Sequence, residues 1–150
     1  MELSAAGLQL IKQSEGFRAF TYNDVAGFPT IAYGHKLGKG ESYPNGISPA
    51  QGDVLLASDV ATAEVAVERL VTVPLAQGQF DALVDFVFNL GSSRLASSTL
   101  LEDLNAGRYS AACEQLLIWD HGMVNGAEQI VTGLKSRRQA EYNLWMGNAA

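Results

Sequence analysis

Glu15, Asp24 and Thr30 place two carboxyls and a hydroxyl within sixteen residues of chain. General acid catalysis needs a carboxylic acid that keeps its proton near neutral pH. Glu15 falls at the expected end of the first helix, facing the negative end of the helix dipole. That position disfavours the carboxylate by a few tenths to about 1 kcal/mol and so favours the neutral acid. Enclosure by Phe17, Phe20 and Tyr22 would act in the same direction, whereas a nearby arginine would oppose it. Asp24 stands in TYNDVAG. Asn-Asp ahead of Val-Ala-Gly is also ordinary turn chemistry, so a structural and a catalytic role are both open. Thr30 follows Phe28-Pro29 at the start of an expected strand. Its hydroxyl either holds a water or belongs to a strand β-branch. Taken together the three residues are the minimum equipment for water-assisted hydrolysis of a glycosidic bond.

The elements that must position them are legible in the pattern. Ser4 caps a short amphipathic helix running to about Ser14, with Leu8, Ile11 and the stem of Lys12 on one face and Gly16 as its stop. Residues 17–47 alternate aromatic and β-branched residues with glycines, the pattern of a small twisted antiparallel sheet. Ser48-Pro49 starts a long helix to about Val71, and Pro74 follows it. Gln79–Leu90 is apolar on nearly every side except at Asp81, Asp85 and Asn89, so it belongs in the middle of a bundle. Further helices fit Ser98–Asn105, Tyr109–Trp119 and Thr132–Met146, with Gly107 and Gly126 as breaks. The fold class is therefore α+β and mainly helical. One domain is expected, with an N-terminal helix and sheet (1–47), a connecting helix (48–71) and a helical lobe (72–150).

Composition narrows the possible functions. The 150 residues carry a net charge of −6. Residues 1–40 hold +1, residues 41–128 hold −9 and residues 129–150 hold +2. An acidic surplus argues against a dedicated nucleic-acid binder, and any site for an anionic partner should come from the two ends. No uncharged stretch approaches the roughly 20 apolar residues of a membrane span. The N-terminus lacks the basic start and continuous apolar run of a signal peptide, so synthesis in the cytoplasm is expected. Cys113 is the single cysteine and reads as a small buried hydrophobe. The two histidines, His35 and His121, have no ligand-spaced partners, so no metal site is expected. Trp119 and Trp145 are expected to anchor the core.

The segment EGFRAFTYNDVAGFPTIAYGHKL resembles the signature of the phage-type lysozymes, the endolysins of glycoside hydrolase family 24. Glu15, Asp24, Thr30 and the run Tyr33-Gly34-His35 stand at the matching spacings. QFDALVDFVFNLG (79–91) is similar to the family's central buried helix, and GLKSRRQAEYNLW (133–145) to its last helix. The resemblance runs over nearly the whole chain. It implies a two-lobed lysozyme-like fold and hydrolysis, with inversion, of the β-1,4 bond between N-acetylmuramic acid and N-acetylglucosamine in peptidoglycan. It implies that Glu15 protonates the leaving oxygen, that Asp24 and Thr30 position and activate the water, and that no cofactor or metal takes part. It also implies that an arginine of the last helix, Arg137 or Arg138, reaches back to orient Glu15.

Around this centre, His35 reads as a structural histidine paired with an acidic group of the long helix. Phe88, in the FNLG turn, is either a sugar contact or core. A monomer without a membrane anchor is expected, reaching peptidoglycan through a holin pore or a secretion system. Its origin would be a phage, a prophage or a secreted bacterial effector. The net charge departs from the family's basic habit and weakens any electrostatic attraction to the wall. Two rivals stand beside the hydrolase. One is a non-catalytic module that grips peptidoglycan, and the other a lytic transglycosylase working with a single carboxylic acid.

Overall fold

The computed structural model describes residues 1–148. Helix α1 (Ala5–Glu15) is capped by Ser4, whose hydroxyl accepts from the amide of Gly7. Gly16, at φ +70°, ends it and donates its amide to the carbonyl of Lys12. The chain then forms a three-stranded antiparallel sheet in the order β1 (Arg18–Asn23), β2 (Pro29–Ala32), β3 (His35–Lys36). β2 is the middle strand, and Thr30 on it faces Tyr22 on one side and Lys36 on the other.

Helix α2 (Pro49–Leu70) begins as its sequence requires. The Ser48 hydroxyl accepts from the Gln51 amide, the Gln51 side chain takes the Ser48 amide, and Pro49 fills the first turn. α2 joins two apolar cores. A small one under the sheet gathers Ile31, Ala32 and Ile47. The large one gathers Leu10 and Ile11 of α1, the inner face of α2 and the helices beyond.

Those helices are α3 (Gln77–Leu90), α4 (Ser92–Ala96), α5 (Thr99–Asn105), α6 (Tyr109–Leu116) and α7 (Thr132–Trp145). α3 runs through their middle with Phe80, Ala82, Leu83, Val84 and Phe86 fully enclosed, as its nearly uniform apolarity requires. α7 lies against it. At Gly78 the backbones approach so closely that a Cβ would stand 2.0 Å from the carbonyl oxygen of Leu144. Trp145 is buried, and Trp119 packs edge-on against Phe86. Cys113 is enclosed as well.

Three expectations need correction. The C-terminal region is not purely helical: β4 (His121–Val124) and β5 (Ala127–Ile130) form an antiparallel hairpin. Its tip, Asn125-Gly126, has φ of +51° and +80°, the conformation that Asn-Gly favours in tight hairpins. Gly126 is thus a hairpin turn and not merely a helix break. α6 stops at Leu116 instead of Trp119, and the short α4 was not foreseen. Val25 and Phe28 lie outside the strands, on an exposed loop.

Candidate active site

A cleft of about 750 Å³ opens between the sheet, α2 and the end of α3. Glu15, Asp24, Thr30 and Phe88 all line it. The proposed acid, water-holding pair and sugar contact, which the sequence spreads over 74 positions, therefore share one groove.

Glu15 is the last residue of α1, and its side chain is about one-fifth exposed. Oε1 accepts from Nη1 of Arg137 at 2.7 Å. Oε2 rests against Gly34, where a Cβ would lie only 2.9 Å away. Gly34 also holds φ at +74°. Two independent demands therefore require glycine in the Tyr33-Gly34-His35 turn. The aromatic enclosure expected from Phe20 is absent: its side chain is 68% exposed and packs beside Gly46. The register of β1 shifts between Arg18 and Tyr22, and Phe20 falls in that irregular stretch.

Asp24 is both a turn residue and a cleft residue. Its Oδ1 accepts from the amides of Ala26 and Phe28, each at 2.9 Å, and its own amide donates to the Phe28 carbonyl. This leaves Oδ2 outside the loop's hydrogen bonds, with Lys36 Nζ 3.9 Å away. Thr30 is 2% exposed and donates its hydroxyl proton to the Phe28 carbonyl at 2.8 Å. With that proton committed, the oxygen can accept from a water. A single loop, 24–28, thus fixes both groups.

His35 stands behind the cleft. Nδ1 meets Asp59 of α2 at 2.8 Å and Nε2 meets Glu41 at 2.9 Å, while the Tyr43 hydroxyl donates to Glu41. It ties the sheet to α2, as a structural histidine should. Burial opposes its charge, but the hydrogen bonds and negative charges of Asp59 and Glu41 outweigh that and raise its pKa above the ordinary 6.5. The bonds from Tyr43 and the Gly38 amide hold Glu41 below the usual carboxylate range.

Between the two arginines of α7, the structure selects Arg137 as the partner of Glu15. Arg138 turns inward, donating to Glu141 at 2.6 Å and to Asn89 at 2.9 Å and lying over the Phe86 ring. Neither guanidinium is free for an anionic ligand. Among its charged residues the cleft lining offers Lys36 against Glu15, Asp24 and Asp59, so the cleft is net acidic and is not the site for an anionic partner that the basic ends suggested. Asp85 and Glu141, which are not among the site residues expected from the sequence, are both fully buried beside these arginines. A signal existed: Asp85 stands in a nearly all-apolar helix, and a buried carboxylate requires hydrogen-bonding or cationic partners. Among the described residues, no cluster of three or more His, Cys, Asp or Glu side chains is placed to hold a metal.

The description "Phage lysozyme" fits residues 12–141 of the chain. The chain belongs to the phage lysozyme family. The chain is 39% identical to the endolysin of Acyrthosiphon pisum secondary endosymbiont phage 1, over 97% of this chain and 98% of that protein. It superposes on the muramidase domain of SpmX from Asticaccaulis excentricus with a TM-score of 0.88, at 34% identity, covering 97% of both chains. The endolysin from Escherichia coli O157:H7 phage FAHEc1 gives a TM-score of 0.87 at 34% identity, over 97% of this chain and 94% of that one. The fold is lysozyme-like, and the lysozyme is a muramidase-type glycoside hydrolase of the cell-wall-lytic kind. No described helix is long and apolar enough to cross a membrane.

Proposed function

We propose that the protein hydrolyses the β-1,4 bond between N-acetylmuramic acid and N-acetylglucosamine in peptidoglycan, with inversion at the anomeric carbon. The observation that carries this reading is the shared cleft, with Glu15 delivered by α1 and Asp24 and Thr30 by the sheet. Glu15 gives its proton to the glycosidic oxygen as the bond to the anomeric carbon breaks. A water accepted by Thr30 Oγ1 loses a proton to Asp24, and its oxygen bonds to that carbon from the opposite face. Exchange with solvent returns the proton from Asp24 and restores Glu15. Arg137 holds the acid in place, and Phe88 supports a sugar ring.

The two rivals are weaker on the same observations. A binding-only module has no use for a carboxyl fixed by an arginine on one side and a Cβ-free gap on the other. A transglycosylase needs the acid but not the loop that secures Asp24 and Thr30. The enzyme is taken to act as a monomer, delivered from the cytoplasm to the wall by a holin pore or a secretion system.

Mass spectrometry of muropeptides released by the wild type, Glu15→Gln and Asp24→Ala tests this reading. Wild-type products should carry reducing muramic acid ends, and Glu15→Gln should lose about a hundred- to ten-thousand-fold in rate while still folding. Wild-type release by either variant overturns the assignment, and anhydro-muramyl ends overturn hydrolysis in favour of transglycosylation.

A further inference from the structure

Behind Glu15 lies a buried chain of charge that the reaction as written does not use. Asp85, on α3 and fully buried, accepts from Nε of Arg137 at 3.0 Å and from Nη2 at 2.8 Å. These two bonds occupy one edge of the guanidinium and fix its plane. The remaining nitrogen, Nη1, is thereby aimed at Glu15 Oε1. Burial works against the charge on Arg137, but Asp85 and then Glu15 outweigh it and hold the guanidinium protonated above its ordinary value.

Asp85 is itself held from behind. Its Oδ2 lies 3.9 Å from Nη2 of Arg138, which also serves Asn89 and Glu141. Burial pushes the Glu141 carboxyl well above the usual range, the charge of Asp85 adds to this, and Arg138 offsets it only in part. Asp85 lies buried between the two guanidiniums. The groups facing Asp85 are thus Arg137, Arg138 and Glu141 from α7, with Glu15 of α1 beyond Arg137. Among the described residues, no ion pair reaches Asp85 from α2 or α4. On its cleft side Glu15 shares the groove with Asp24, Lys36 and Asp59.

We propose that Asp85 is a positioning residue for the proton donor: it aims Arg137 at Glu15 and shares the arginine's charge. An arginine paired with Glu15 alone would favour the ionised form, which cannot donate. Asp85 divides that attraction. The sequence carries the requirement as the second of two acids in the apolar segment 79–90 and an arginine 52 positions after it. The inference rests on Glu15 being the proton donor.

The test is the pH profile of kcat for wild type, Asp85→Asn, Arg137→Met and the double variant. Asp85→Asn keeps the shape of the side chain but removes its charge. Its alkaline limb should move to lower pH by about one unit, with KM changed less than twofold. Placed on Arg137→Met, the same substitution should leave the limb where Arg137→Met alone puts it. An unmoved limb in folded Asp85→Asn overturns the proposal, as does a limb that still moves without the arginine. The wild type provides a readout that requires no variant to fold. Nitrogen-15 spectra should show separate Nη proton signals for a clamped Arg137, and one averaged signal at neutral pH overturns the clamp. Wild-type activity of Glu15→Gln would instead remove the reading beneath the proposal, so the two failures are distinguishable.

Discussion

Gly34 shows how much of the site depends on an atom that is absent. Its φ of +74° costs an L-residue roughly 1–2 kcal/mol, and its missing Cβ leaves room for Oε2 of Glu15. Gly34→Ala therefore acts twice. Thermal melting should fall by a few degrees, and kcat should drop about tenfold or more because the carboxyl is displaced from its place beside Arg137. A variant that melts lower but turns over at the wild-type rate would show that the glycine serves the turn alone. Asp24 and Thr30 follow the same residue-scale logic. Each commits part of its hydrogen-bonding capacity to the loop and keeps the rest for the cleft.

At the scale of elements, His35 of the sheet ties to Asp59 of α2 and to Glu41 of the loop between them. The folded state raises the pKa of His35 above 6.5. Its contribution to stability is therefore complete below that value and is lost as pH rises through the folded value. Glu41 is depressed below 4.5 by folding. Its contribution is present above 4.5 and is lost as the medium becomes acidic. The cluster thus stabilises most between these limits, in the window from about pH 5 to 6. Denaturant unfolding measured from about pH 5 to 8 should show the wild type losing stability as pH rises, with a flatter curve for His35→Gln. Parallel curves for the two proteins would remove His35 from the pH dependence. Asp24, Thr30 and His35 all belong to the sheet unit that this contact holds against α2. Loosening it should therefore affect activity before global unfolding.

For the whole molecule, the net charge of −6 and a cleft lined by three acidic residues and one lysine set the relation to the substrate. Long-range attraction to the anionic groups of a cell wall is weak for such a molecule, so salt has little attraction to screen. Initial rates of wall clearing should fall less between about 20 and 200 mM salt than those of a strongly basic lysozyme under the same conditions. A steep loss over that range would mean that a local basic surface governs association in spite of the net charge.

The sequence by itself determined the local elements and pointed to the groups proposed to react. Ser4, Gly16 and the Ser48-Pro49-Gln51 cap act through hydrogen bonds within a few residues, so their helices were legible. The spacing of Glu15, Asp24 and Thr30 was legible because one helix end, one loop and one strand carry them. The hairpin at 121–130 is legible too, in Asn125-Gly126, although Gly126 taken alone reads equally as a helix break. Only the tertiary structure decided which arginine serves Glu15. Arg137 and Arg138 are adjacent and chemically alike, and helical rotation of about 100° per residue points them in different directions. The packing of α7 on α3, close enough to demand Gly78, sends one to Glu15 and Asp85 and the other to Glu141 and Asn89. That choice depends on contacts across 122 positions of chain for Glu15 and 52 for Asp85, a separation that no local pattern encodes.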